Sequence, residues 1–180
     1  MPSTFLLQPP RVITPWSLES IGAKLYGMGA GNMTGVGSTA YPSANLAIYI
    51  PFTIAKPIVV VKLFSYNGAT VSGNIDMGIY TADGTRLVSI GSTAQATTSN
   101  VQEFDISDTL LNAGLYYLAV AKNDTTGTLF AVASGSAVAA LATMGIAQQA
   151  SAFPLPATAT FATASQDYTP LIGLTTGVTI

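Results

Sequence analysis

The chain has 180 residues, of which 49% are hydrophobic and only 8% charged, with a formal net charge of −2. It contains no Cys and no His, which excludes disulfides, thiolate zinc sites, a Ser-His-Asp arrangement and the commonest general base. Four Lys and two Arg, scattered along the chain, form no basic patch able to neutralise several phosphates, so nucleic acid is excluded as a partner. A chain of this length buries roughly 70% of the surface its unfolded form exposes, as one domain with a sizeable core. An average soluble domain is about 25% charged, so here Ser, Thr, Asn and Gly must cover the surface. Residues 25–55 and 125–166 hold no charge at all. Apolar surface of that kind marks protein–protein contact, and the composition points to a subunit of an assembly.

Residues 1–44 read as an extended arm. Proline recurs at positions 2, 9, 10, 15 and 42, and GMGAGNMTGVGS (residues 27–38) is too glycine-rich for regular structure. As a phosphate cradle the glycine run fails, because no GK[ST] follows it. Phe5-Leu6-Leu7 is too short, and lacks the early positive charge, for a secretory signal. An arm carrying Trp16, Leu25, Tyr26 and Tyr41 is too apolar to float free, and these four residues are expected to contact neighbouring subunits.

Strands follow. NLAIYIPF (45–52) alternates, with Leu46, Ile48, Ile50 and Phe52 on one face, and Pro51 places it at a sheet edge. IVVVKLFSY (58–66) is a continuous β-branched run, the pattern of a strand covered on both sides. Asn74–Ile90 reads as a hairpin closed at Asp83-Gly84. A two-residue loop there pairs Tyr80 with Leu87 and Ile79 with Val88. It gives a core face of Met77, Ile79, Val88 and Ile90, and a mixed face of Asp76, Gly78, Tyr80, Leu87 and Ser89. A three-residue loop slips the second arm and turns Leu87 inward. Gln102, Phe104 and Ile106 share one face of the next strand, SDTLLNAG is a connector, and LYYLAVAK (115–122) and a strand from Leu129 to Ala133 follow. Ala137–Gln149 is a helix candidate, Phe153-Pro154-Leu155-Pro156 breaks the chain, and 158–164 and 171–180 read as final strands. Leu129–Ala147 is about long enough to span a bilayer. Its Ala, Ser, Thr and Gly content, with no flanking basic cluster, favours a buried or interface segment, and no membrane partner is expected.

Seven or more short strands with turn chemistry between them predict an all-β, antiparallel β-sandwich. The domain reading is an arm at 1–44, a sandwich core at 45–134, and an apolar Ala/Thr-rich segment at 135–180 that completes the sandwich or the subunit interface. Phe153 and Leu155 are candidate assembly contacts in that segment.

Little chemistry is legible. Asp76, Glu103 and Asp105 would suit a glycosidase if neighbouring strands gathered them, but the plainer reading is the solvent side of alternating strands. Asp105, Asp108 and Asn112 offer oxygen ligands for calcium, or ordinary loop capping. Serines and threonines lack a base to activate them. The reading is therefore not an enzyme, with no cofactor and no metal. Tyr66, Tyr80 and Tyr116 sit on or beside strands and form a candidate sugar platform, though strand aromatics are commonly packing.

DMGIYTADGTRL (76–87) and LLNAGLYYLAV (110–120) resemble the jelly-roll sandwich domains of bacteriophage virion proteins, of the decoration, head-fibre and tail-associated types. The likeness spans about Leu46 to Ala133. Carbohydrate-binding modules share the arrangement. The resemblance implies a jelly-roll-like sandwich and a structural role in the virion. It also implies self-association, as a homo-oligomer such as a trimer, and contact with other virion proteins through the arm and the apolar C-terminal part. It supplies no catalytic residues. The alternative it leaves open is a sugar- or receptor-binding module at a virion or cell surface.

Overall fold

The computed structural model describes residues 37–133 and 138–176. Trp16, Leu25 and Tyr26 lie outside the described residues. β1 (Gly37–Ala40) leads into β2 (Ala47–Ile54) and β3 (Ile58–Tyr66). The hairpin of β4 (Asn74–Thr81) and β5 (Arg86–Ser89) follows, then β6 (Thr93–Ala94), β7 (Val101–Leu111), β8 (Gly114–Lys122) and β9 (Thr128–Ala133). A short helix, α1 (Val138–Thr143), precedes β10 (Ala147–Gln149), β11 (Ala162–Thr163), β12 (Tyr168–Pro170) and β13 (Ile172–Thr176).

The pairing is nested. β2 meets β8 from Ala47↔Ala121 to Ile54↔Gly114, and β3 meets β7 from Ile58↔Leu111 to Tyr66↔Val101. β4 meets β6 at Asn74↔Ala94 and β5 up to Tyr80↔Arg86. β1 meets β9 from Gly37↔Ala131 to Ala40↔Thr128, and all of these pairs are centred on the loop Ala82–Gly84, so residues 37–131 form one long antiparallel ribbon. The ribbon folds over where residues 55–57 and 112–113 leave the ladder, which sends β2 and β8 into one sheet and β3 and β7 into the other. It then rolls, laying β4 against β8 from Ile75↔Lys122 to Thr81↔Tyr116.

The first sheet has the order β11-β10-β2-β8-β4-β5, with β6 on β4. In the second, β3 lies between β7 and β13, while β12 joins β9 and β1. Leu171 links these parts: its N–H donates to the Phe130 carbonyl at 2.7 Å, and its own carbonyl accepts from Tyr66 N–H at 3.0 Å. The result is an all-β antiparallel sandwich. The ribbon has four nested rungs, β1 with β9, β2 with β8, β3 with β7, and β4 with β5 and β6, and ends at its tip hairpin.

The period of two sorts the side chains. Ile48, Ile50, Phe52, Ile75, Met77, Ile79, Leu118 and Val120 of the first sheet face Val60, Leu63, Phe104, Leu111, Leu129 and Ile172 of the second, all buried. Leu141 of α1 and Ile146 close the core. Val88 and Ile90 pack on it as expected, opposite Met77 and Ile79.

The hairpin tip combines both loop readings. Thr81 N–H bonds the Thr85 carbonyl at 2.9 Å, leaving the three residues Ala82–Gly84 as the loop, with Gly84 at φ 90°. Tyr80 therefore faces Arg86 rather than Leu87. A bulge at Leu87 then takes up the extra residue, which restores Ile79↔Val88 and turns Leu87 out to 41% exposure. A strand whose inner face is already filled absorbs a register slip locally, because carrying it onward would invert every side chain.

Several expectations need correction. The arm does not extend to residue 44: β1 pairs with β9. Tyr41 is buried, its hydroxyl donating between the carbonyls of Leu46 (2.8 Å) and Val120 (2.9 Å). β7 continues through the expected connector to Leu111, leaving Asn112-Ala113 as the turn. The helix covers six residues, with strand β10 following where more helix was expected. Only Ala162–Thr163 of the segment 158–164 is strand. Pro51 sits on the part of β2 beyond the reach of β10, which pairs only with Ala47–Tyr49, so the missing N–H meets no partner strand. Among the described residues no helix is long and apolar enough to cross a membrane.

Gly84 is required twice, by its φ and because a Cβ there would lie 2.8 Å from the Ala159 carbonyl oxygen. Gly84→Ala is expected to lower the unfolding free energy by more than about 1 kcal/mol in urea titration.

Candidate interaction surfaces

The sandwich has two outward faces, and the chain treats them differently. On the first sheet the outward positions are small or polar: Ala47, Ala119, Ala121, Gly78 and Asp76, flanked by Tyr49, Tyr80 and Tyr117. Into this shallow trough the segment 152–161 lays Ala152, Leu155 and Ala159, which are buried, with Phe153 and Phe161 half-buried beside them. Tyr49 meets Tyr80 and Phe161 edge-on, with centroids 5.3 and 5.1 Å apart. The Tyr80 hydroxyl donates to the Pro156 carbonyl at 2.6 Å. Backbone bonds fasten the strap along β5: Arg86 N–H to Ala157 O at 3.0 Å and Ala159 N–H to Gly84 O at 2.8 Å. Burial pushes the Tyr49 hydroxyl up to about 12 and raises that of Tyr80 further.

Asp76 is the polar centre of this face. It is fully buried; Oδ2 accepts the Leu155 N–H at 2.9 Å and Oδ1 accepts the Ser89 hydroxyl at 2.7 Å. The Arg86 guanidinium donates to the Leu155 carbonyl. Both backbone groups of Leu155 are thus held by charged side chains, while its side chain rests against Gly78. Burial raises the Asp76 carboxyl above its ordinary range, against the opposing pull of Ser89, the Leu155 N–H and Arg86.

A second buried polar group lies at one end of the sandwich. Lys122 is 0% exposed; its Nζ donates to Ser72 O at 2.9 Å and Gln95 Oε1 at 2.6 Å, and stands 3.6 Å from Asp124 Oδ1. Gln95 Nε2 donates onward to Thr128 O at 2.8 Å and Asn67 Oδ1 at 3.1 Å. Asn67 Nδ2 in turn donates to Gln102 Oε1 at 2.8 Å and to the Ala96 carbonyl. Burial lowers the Lys122 pKa, partly offset by Asp124. Two hydrogen bonds and the ion pair to Asp124 knot the turns after β3, β6 and β8 together.

The outward face of the second sheet has no such cover among the described residues. Phe64 and Tyr66 of β3, Val101 of β7 and Phe130 of β9 are all half-buried there. Tyr66 meets Phe130 edge-on at 4.5 Å. Phe64 is paired with Gly173, whose missing Cβ is the space the ring fills. Beside them Lys62 Nζ lies 3.0 Å from Glu103 and 3.6 Å from Asp105. The apolar run of β3 suggests a strand covered twice; among the described residues only its inner face, bearing Val60, Leu63 and Ser65, is buried.

No protein-family model matches this chain, and no curated protein or solved structure is significantly similar to it. The surfaces must be read from their own chemistry. Asp76 stands in the other sheet from Glu103 and Asp105, so the three carboxylates are not gathered at one place. Among the described residues no three Asp, Glu, His or Cys side chains gather as a metal site. Asp105, the proposed calcium ligand, is beside Lys62 instead. The tyrosines of the sugar platform are dispersed: Tyr80 is buried under the strap, and Tyr66 is on the second sheet. Tyr116 packs on Phe52, with centroids 5.9 Å apart. Of the candidate assembly contacts, Tyr41 and Leu155 are committed to their own core, and Phe153, in the strap itself, packs half-buried beside Leu155 and its cluster. Asp76 reads in the sequence as the solvent side of an alternating strand because the strap that buries it comes from residues 152–161; Lys122 escaped sequence reading although it continues the inward phase of Leu118 and Val120.

Because the folded chain binds a proton on Asp76 more tightly than the unfolded chain does, this group's stabilisation is full below the ordinary carboxylate pKa and is lost as pH rises through the raised folded value. Thermal melts from about pH 4 upward should show a decline that is absent from Asp76→Asn. Lys122→Met removes the ammonium from Ser72 O, Gln95 Oε1 and Asp124, and chemical unfolding should register a loss of about 3 kcal/mol.

Proposed function

We propose that this chain is a structural virion protein, a capsid, decoration or tail-associated subunit that acts by self-assembly and protein–protein contact. The observation that supports it best is the surface. With 8% of residues charged, the fold still leaves Leu87, Leu110 and Leu115 at 41%, 58% and 44% exposure, more apolar surface than so few charges keep dispersed. The likeness of residues 76–87 and 110–120 to virion sandwich domains supplies the setting. The sugar-binding alternative loses its motive, since its three tyrosines stand on separate surfaces.

Two measurements test the reading. Light scattering on the full chain should give a discrete oligomer, and a chain starting at Gly37, which keeps β1 and Tyr41, should show whether residues 1–36 strengthen it. Mass spectrometry of purified phage particles whose genome encodes the chain should find it at many copies per particle. A monomer at all concentrations, or its absence from the particles, overturns the proposal.

A further inference from the structure

Resting on the self-assembly reading, we infer that the outward face of the second sheet is the contact between copies, and that its occupant is the same face of a second copy. The strand pattern is the first reason. Ile58–Tyr66 is written as a strand to be covered on both sides, and the described residues cover it on one. The first sheet shows the rule obeyed, with the core on one side and residues 152–161 on the other.

Shape is the second reason. Sheets pack face to face about 10 Å apart, which demands a low surface. Phe64 fills the space above Gly173 instead of standing clear of the sheet, and Tyr66 is braced edge-on by Phe130. The aromatic surface is therefore ordered before any contact forms, so little side-chain entropy remains to be lost.

Charge names the partner. Lys62 lies beside Glu103 and Asp105, and the three side chains are 38%, 54% and 87% exposed. In a two-fold contact residue i meets j while j meets i, so a face bearing both signs side by side complements itself. Lys62 of each copy meets the acidic pair of the other. The product is a dimer, where the resemblance to virion domains implied a trimer.

The test uses charge reversal on the full chain, at positions exposed enough to leave the fold intact. Lys62→Glu makes the face wholly acidic, and Glu103→Lys with Asp105→Lys makes it wholly basic. Each variant alone is expected to fall to half the wild-type mass by light scattering, and an equimolar mixture to regain it. Phe64→Asp should also halve the mass. A charge variant that keeps the wild-type mass, or a mixture that fails to restore it, overturns the assignment of this face. A wild-type trimer indifferent to all three changes removes this contact and leaves self-assembly standing. A wild-type monomer at every concentration removes both.

Discussion

The nested register around Ala82–Gly84 is the constraint on which the rest of the molecule depends. Once Ile79 faces Val88, the period of two assigns each later residue of the ribbon to the inside or the outside, as far as Lys122. The hydrophobic pattern enforces that assignment on both arms at once: Leu46, Ile48, Ile50 and Phe52 descend one side while Leu118 and Val120 descend the other. The local loop geometry yields to it. Three residues turn the chain where two were the simplest choice, and the bulge at Leu87 cancels the difference within a few residues.

This explains which parts were legible in the sequence. Strand positions from Leu46 to Ala133, the core face of the hairpin and the pairing of its middle were readable, because alternation and Asp-Gly chemistry are local signals. The tip register was not, since the choice between loops depends on what Ile79 meets elsewhere. Gly37–Ala40 looked like glycine-rich arm because its place in a sheet comes wholly from β9, about ninety residues away. The strap at 152–161 has no regular period of its own. Its conformation is dictated by a trough of alanines and a glycine contributed by three other strands. Tyr41 and Leu155 were named for the right property, apolarity in a low-charge segment, but their own fold satisfies it first.

Two ionisable groups carry weight out of proportion to the charge content. Asp76 and Lys122 are fully buried: Asp76 anchors the strap to the ribbon, and Lys122 draws three turns to one point. A buried charge stripped of its partners is costly, so these groups add to the ladders beside them, Ile75↔Lys122 and Asn74↔Ala94 for Lys122, in opposing alternative arrangements of the loops. Polar specificity is thus concentrated at a few interior points, while most of the exterior is left to neutral side chains.

The ribbon also shapes the route by which the chain reaches this state. Ala47 and Ala121 are far apart in sequence, and bringing them together from an open coil would close a long loop at once. Here the closure is subdivided. The tip needs only three residues, the rung of β3 and β7 closes the short span left once β4 and β6 have met, and the rung of β2 and β8 adds only the two corners. Each step begins where the previous one ended, so the effective loop stays small although the final separation is large. The rung of β1 and β9 continues the relay, Ala40↔Thr128 following Ala47↔Ala121 in the same register, whereas β13 has none and meets β3 across the assembled ribbon. Folding of this sandwich accordingly divides into a sequential zipper from its middle outward and a later docking of its C-terminal strands.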